Sequence, residues 1–114
     1  MPINSRSKGS AGEREFAALC REEGFMECRR GQQYCGIEGE DVVGLPCVHV
    51  EVKRVERLHL DEAMKQSIRD AGEGKMPIVA HRKNRENWLV TLPLPWFFKL
   101  LRAYLKIKGE GKNE

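Results

Sequence analysis

Asp41, Glu51 and Lys53 are the residues of this chain whose types and spacing could do chemistry. Glu51 and Lys53 lie in Val48-His49-Val50-Glu51-Val52-Lys53, where strict alternation sends the valines to one face of a strand and His49, Glu51 and Lys53 to the other. A carboxylate and an ammonium therefore project side by side. Asp41 stands ten positions before Glu51 and leads the short apolar run Val42-Val43. Carboxylates on neighbouring strands suit a hard divalent cation, because Mg²⁺ takes oxygen ligands, commonly one or two carboxylates plus water and substrate phosphate. The chemistry this predicts is hydrolysis of a phosphodiester. The plainer reading of Glu-x-Lys by itself is an exposed ion pair on the wet face of a strand, so the weight falls on the elements that surround it.

Those elements can be read in order. Phe16, Leu19 and Cys20, with Ala17 and Ala18 between them, predict a helix from Ser10 to Glu23, with Ser10 as N-cap and Glu13 completing a capping box. Gly24 stops it and Phe25-Met26-Glu27-Cys28 reads as the first strand. Residues 29–40 form a polar, Gly-rich connection carrying Gln32, Gln33 and Tyr34. The short turn Gly44-Leu45-Pro46-Cys47 makes the Asp41 strand and the Glu51 strand antiparallel neighbours. Leu60 to Ala71 reads as a helix capped by Asp61, with Ala63, Met64, Ser67, Ile68 and Ala71 as its apolar stripe and Gly72 and Gly74 ending it. Met76–His81 and Asn87–Leu92 are strand-like runs around the polar turn at 82–86.

Pro93-Leu94-Pro95 breaks the sheet, and Pro95 suits the first turn of a final helix over 95–107. Trp96, Phe97, Phe98, Leu100, Leu101, Tyr104, Leu105 and Ile107 make that helix apolar on more than one face. Such a helix covers a core on one side and a partner on the other, so a homodimer through it is expected, core-only burial being the alternative. Residues 1–8 read as a flexible basic arm and 109–114 as a disordered charged tail.

A chain of 114 residues holds one domain with one modest core. Its 40% hydrophobic and 32% charged residues fit a water-soluble protein, and no apolar run is long enough to span a membrane. The polar N-terminus lacks a secretory signal, which points to the cytoplasm. Cys20, Cys28, Cys35 and Cys47 form no Cys-x-x-Cys pair, so reduced thiols are expected rather than a zinc site. The net charge of +3 says little, but basic residues cluster at Arg6, Lys8 and Arg14, at Arg29 and Arg30, at Lys53, Arg54 and Arg57, and at Arg82, Lys83 and Arg85. Each alone is a solvated surface charge. Together, beside the acids, they fit a phosphate-lined groove for DNA.

The order of a helix with Glu13, a strand, an Asp41 strand and a Glu51-x-Lys53 strand resembles the PD-(D/E)XK nuclease superfamily. Within it, Lys8-Gly9-Ser10-Ala11-Gly12-Glu13-Arg14, the Gly24-Phe25 that ends the helix and Asp41-Val42-Val43-Gly44 resemble the small archaeal and phage Holliday junction resolvases and related prophage endonucleases, over residues 8–92. The resemblance implies a restriction-endonuclease-like core (residues 9–92) in an α/β fold: a mixed central sheet flanked by helices in the order α-β-β-β-α-β-β-α. It implies an Mg²⁺- or Mn²⁺-dependent endodeoxyribonuclease, in the host cytoplasm if phage-encoded. Asp41, Glu51, the Val52 carbonyl and Glu13 would hold the metal, Lys53 would orient water or neutralise the phosphate, and Gln66 would approach from the following helix. Lys8, Arg14, Arg29, Arg30, Gln33, Arg54 and Arg82 would contact DNA. Where the family usually carries Pro before its first acid this chain has Glu40, either an extra ligand or a substitute. Three activities fit: a structure-selective resolvase-type nuclease, a virus-type replication-repair nuclease acting on other DNA structures, and an inactive nucleic-acid-binding module.

Overall fold

The computed structural model describes residues 5–31 and 40–112, and its elements follow the order α-β-β-β-α-β-β-α. They are α1 (Ser5–Glu22), β1 (Arg29–Arg30), β2 (Val42–Val43), β3 (Val48–Arg54), α2 (Leu60–Ala71), β4 (Met76–Arg82), β5 (Leu89–Thr91) and α3 (Leu94–Lys112). The strands form one mixed sheet in sequential order. β3 and β4 run parallel, joined by α2 as such a pair requires, and every other pairing is antiparallel.

Alternation along β3 and β4 assigns the two faces of the sheet. Val50 and Val52, level with Ile78 and Ala80, pack with Val42, Cys28 and the α1 residues Ala17 and Cys20 into the apolar core. His49 and Glu51, level with Pro77 and Val79, point to the α2 side, where Ser67 Oγ donates to the Ile78 carbonyl at 2.9 Å. The sheet is thus sandwiched between α1 and α2. Cys20 and Cys28 are free thiols inside the core, and burial, reinforced by Cys28, pushes the Cys20 thiol up to about 11. Cys47 is free and exposed, and Cys35 lies outside the described residues.

Several local expectations are corrected. α1 begins at Ser5, so Ser10 lies inside the helix and makes no capping box with Glu13, and part of the expected N-terminal arm is helical. The helix closes with Phe25 N–H donating to the Cys20 carbonyl and Gly24 N–H to the Arg21 carbonyl, both at 3.0 Å, a Schellman pattern. Residues 25–28 form a turn held by a Cys28 N–H to Phe25 carbonyl bond of 3.1 Å, and pairing starts only at Arg29. In α2, His59 is the N-cap, Asp61 sits in the first turn where its charge meets the helix dipole favourably, and Ile68 faces solvent while Ala63 and Ser67 are buried. α3 runs past Gly109 to Lys112, where a tail is expected. Among the described residues no helix is long and apolar enough to cross a membrane.

Candidate functional site

Two backbone-anchored bonds place Asp41. Its N–H donates to the Val50 carbonyl at 3.0 Å, and its Oδ2 accepts from Val52 N–H at 2.8 Å. With Val42 paired to Val50, these bonds hold the Asp41 carboxylate at the edge of β3 beside Glu51. Glu51 is 2% exposed. Its carboxyl is pushed up to about 8, first by burial and then by the adjacent Asp41 carboxylate, with Lys53 opposing the rise. Glu13 on α1 faces the same place. Burial, followed by the charge of Asp41, raises its pKa, and Arg30, 3.4 Å away, pulls it back.

Glu13, Asp41, Val52 and Lys53, with Gly9, Ser10 and Arg30, line a cleft of about 260 Å³. Glu51 forms part of its buried surroundings rather than its wall. Lys53 also lines a second cleft of about 230 Å³ that includes Glu62 and Gln66. The Lys53 side chain therefore stands between the acids on one side and Gln66 on the other. A group of carboxylate oxygens with one ammonium at its border has the donor chemistry for a hard cation, and crowding of like charge is relieved when a cation enters.

Behind Glu51 lies a set of partners of which sequence reasoning names Glu40 and places His49 on the same face, but misses Lys75 and Asp70. His49, 3% exposed, sets Nε2 at 3.1 Å from Glu51 Oε1 and Nδ1 at 3.5 Å from Glu40 Oε1, and Lys75 Nζ donates to that same Glu40 oxygen at 2.6 Å. Asp70 approaches from α2, so that one donor atom each of His49, Glu51 and Asp70 lies within 4.8 Å of the others. Asp70 Oδ2 is sealed from solvent and has no hydrogen-bond partner among the described residues. The signals existed: alternation puts His49 on the face of Glu51, and Asp70 falls on the Ala63-Ser67 stripe of α2. Glu40, paired with Lys75 and His49, sits behind Glu51 rather than lining the cleft with Asp41.

The basic residues divide. Arg14, Arg29 and Arg30 are exposed, the last beside the cleft. Arg54 points to the face opposite Lys53, its Cβ directly under Gly12 of α1. Arg82 is held inside the fold: its guanidinium pairs with Glu15 at 2.7 Å and lies 5.9 Å from the centre of the Trp88 ring, which packs on Phe16. Arg54 and Arg82 are thus committed to contacts with α1, and neither lines the cleft. Lys8 lies in α1, and Gln33 is outside the described residues.

Hydrogen bonding from Arg82, aided by Trp88 Nε1 at 2.7 Å, holds the Glu15 carboxyl below its usual range. Glu13 and Glu15 therefore serve different sides of α1. Glu15→Gln is expected to cost about 1 kcal/mol and lower the melting temperature by roughly 4–8 °C, as thermal denaturation can check, with no change at the cleft. A larger effect at Glu13→Gln than at Glu15→Gln would contradict the clamp.

Glu51 makes a second, pH-linked expectation. Its carboxyl holds a proton in the folded chain up to about 8, whereas the unfolded chain releases it near the ordinary 4.5. Between those values the folded state binds more protons, so stability of the metal-free protein falls as pH rises through the window. Melting curves across it should slope downward, Glu51→Gln should flatten the slope, and an unchanged slope in that variant would locate the titration elsewhere.

No family model, curated protein or solved structure matches the chain. The functional reading consequently rests on the residues of the cleft and their surroundings.

Proposed function

We propose that this protein is a metal-dependent DNA endonuclease with a restriction-endonuclease-like core, selective for branched DNA in the manner of a Holliday junction resolvase. The single observation that carries the reading is the convergence of the Asp41 and Glu51 carboxylates, with Asp41 and Lys53 lining one cleft and Glu51 buried behind its wall. Asp41, Glu51, the Val52 carbonyl and Glu13 are the groups that would hold Mg²⁺ or Mn²⁺. The crowded carboxylates, and behind them an Asp70 Oδ2 with no hydrogen-bond partner among the described residues, fit a cation in this region. A bound ion supplies Lewis acidity at the phosphate and a more acidic water.

The chain's own residues do the rest. Asp41 is oriented by its bond from Val52 N–H, and Glu51 by His49 behind it. Lys53 carries a positive charge to where the phosphate gains negative charge, and stabilises it in a partly water-excluded site. Gln66, across the neighbouring cleft from Lys53, orients water or a phosphate oxygen. Arg14, Arg29 and Arg30 offer phosphate contacts that set affinity and its salt dependence rather than base sequence.

Purified protein with Mg²⁺ or Mn²⁺ should cut a four-way junction in preference to flaps and linear duplex at matched salt. Equal cutting of all three supports the alternative nuclease reading, action on other DNA structures. The near-complete burial of Glu51 against His49 favours a second reading in which these acids are structural and the domain only binds nucleic acid. Binding without any metal-dependent cutting would select it.

A further inference from the structure

Among the described elements, α3 is the long one that the body leaves unused. It makes no extended packing contact with the described strands or with α1 and α2. The molecule measures 59 × 30 × 27 Å, and a helix of this length accounts for about 28 Å of the long axis. α3 therefore projects from the sandwich. Its first turn closes on the residue before it, Trp96 and Phe97 N–H donating to the Pro93 carbonyl at 3.0 and 3.2 Å.

The projecting helix carries a repeat of seven. Leu94 recurs as Leu101, and Phe97 as Tyr104. Phe98 recurs as Leu105, and Leu100 as Ile107. In a heptad these pairs occupy a, d, e and g, a continuous broad seam, whereas Lys99, Arg102 and Lys106 occupy the outer b and f positions. All eight seam residues are exposed, from 37% to 69%. Together they leave roughly 800 Å² of apolar surface per copy, the area each partner contributes to a stable interface of standard size. So large an apolar stripe on a projecting helix is unfavourable in water.

We infer that this seam is covered by α3 of a second copy of the same chain, in a two-fold homodimer. A face of this area that pairs with its own copy about a two-fold axis ends the assembly at two chains. The basic residues at b and f then remain outward, forming a positive ridge on each side of the joined helices. None of this depends on the nuclease reading. If both hold, one particle presents two clefts to two strands.

Analytical ultracentrifugation of the full chain at micromolar concentration is the test. The expected result is a particle of twice the 13.1 kDa chain mass, converted to monomer by Leu101→Glu with Tyr104→Lys. Lys99→Glu with Lys106→Glu, on the outer face, should leave the dimer intact. Circular dichroism on each variant should report a folded sandwich, since these side chains lie outside its core. A monomeric wild type would overturn the inference, and so would a dimer that survives the seam substitutions. Binding of a monomeric wild type to phosphatidylglycerol vesicles would assign the seam to a lipid surface instead.

Discussion

Asp41→Asn should abolish Mg²⁺-dependent nicking, by roughly a factor of 10³ or more, while the protein stays folded. The amide oxygen of Asn can still accept from Val52 N–H, so the bond that docks this residue on β3 survives. What disappears is the negative charge. Glu51 loses a neighbour that raises its pKa, ionises at lower pH, and is left as a lone carboxylate unable to grip a divalent ion jointly. Lys53→Ala should be almost as damaging for a different reason, the loss of positive charge beside the phosphate, at about 10²- to 10³-fold. Because Lys53 opposes the rise in the Glu51 pKa, its removal should also make Glu51 harder to ionise. Nicking assays with melting curves check both variants, and wild-type cutting by either would remove that residue from the site.

The largest effect on stability should come from Gly44→Ala. Gly44 has a φ of +101°, in the region that L side chains rarely adopt. A Cβ there would also run into the Glu27 carbonyl and come within 2.8 Å of the Cys28 Cα. Both obstacles are backbone, so neither can swing aside. A cost of about 3 kcal/mol or more follows, equivalent to a fall of roughly 10 °C or more in melting temperature. Gly31→Ala poses a related problem closer to the chemistry. Its Cβ would strike the Glu40 carbonyl, and Gly31 N–H donates to the Asp41 carbonyl at 2.8 Å. Pushing the strands apart there should displace Asp41, so Gly31→Ala should lose nicking as well as stability. A stable, fully active Gly31→Ala protein would show that Asp41 is not held in place by this pairing.

Much of the architecture was legible because it is locally encoded. The bounds of α2, Leu60 and Ala71, follow from its apolar period and from Gly72 and Gly74 beyond it. The antiparallel pairing of β2 with β3 follows from the short turn at 44–47. Alternation alone separates Val50 and Val52, in the core, from His49 and Glu51 on the α2 side. Local signals fail where distant parts of the chain decide. Ser10 and Glu13 satisfy a capping pattern, yet the helix already runs through them, and Glu13 turns to Arg30 instead. Arg82 resembles a free groove residue until Glu15, sixty-seven positions earlier, pairs with it. Likewise, the approach of Asp70 to His49 and Glu51 depends on how α2 lies across the sheet. No spacing within either segment encodes that.

The most direct measurement is the anomalous scattering of a crystal grown with Mn²⁺. A peak bound jointly by the Asp41 and Glu51 carboxylates, on the Lys53 side of β3, is the predicted result. A crystal that diffracts well with saturating Mn²⁺ and shows no peak between those two carboxylates would contradict it.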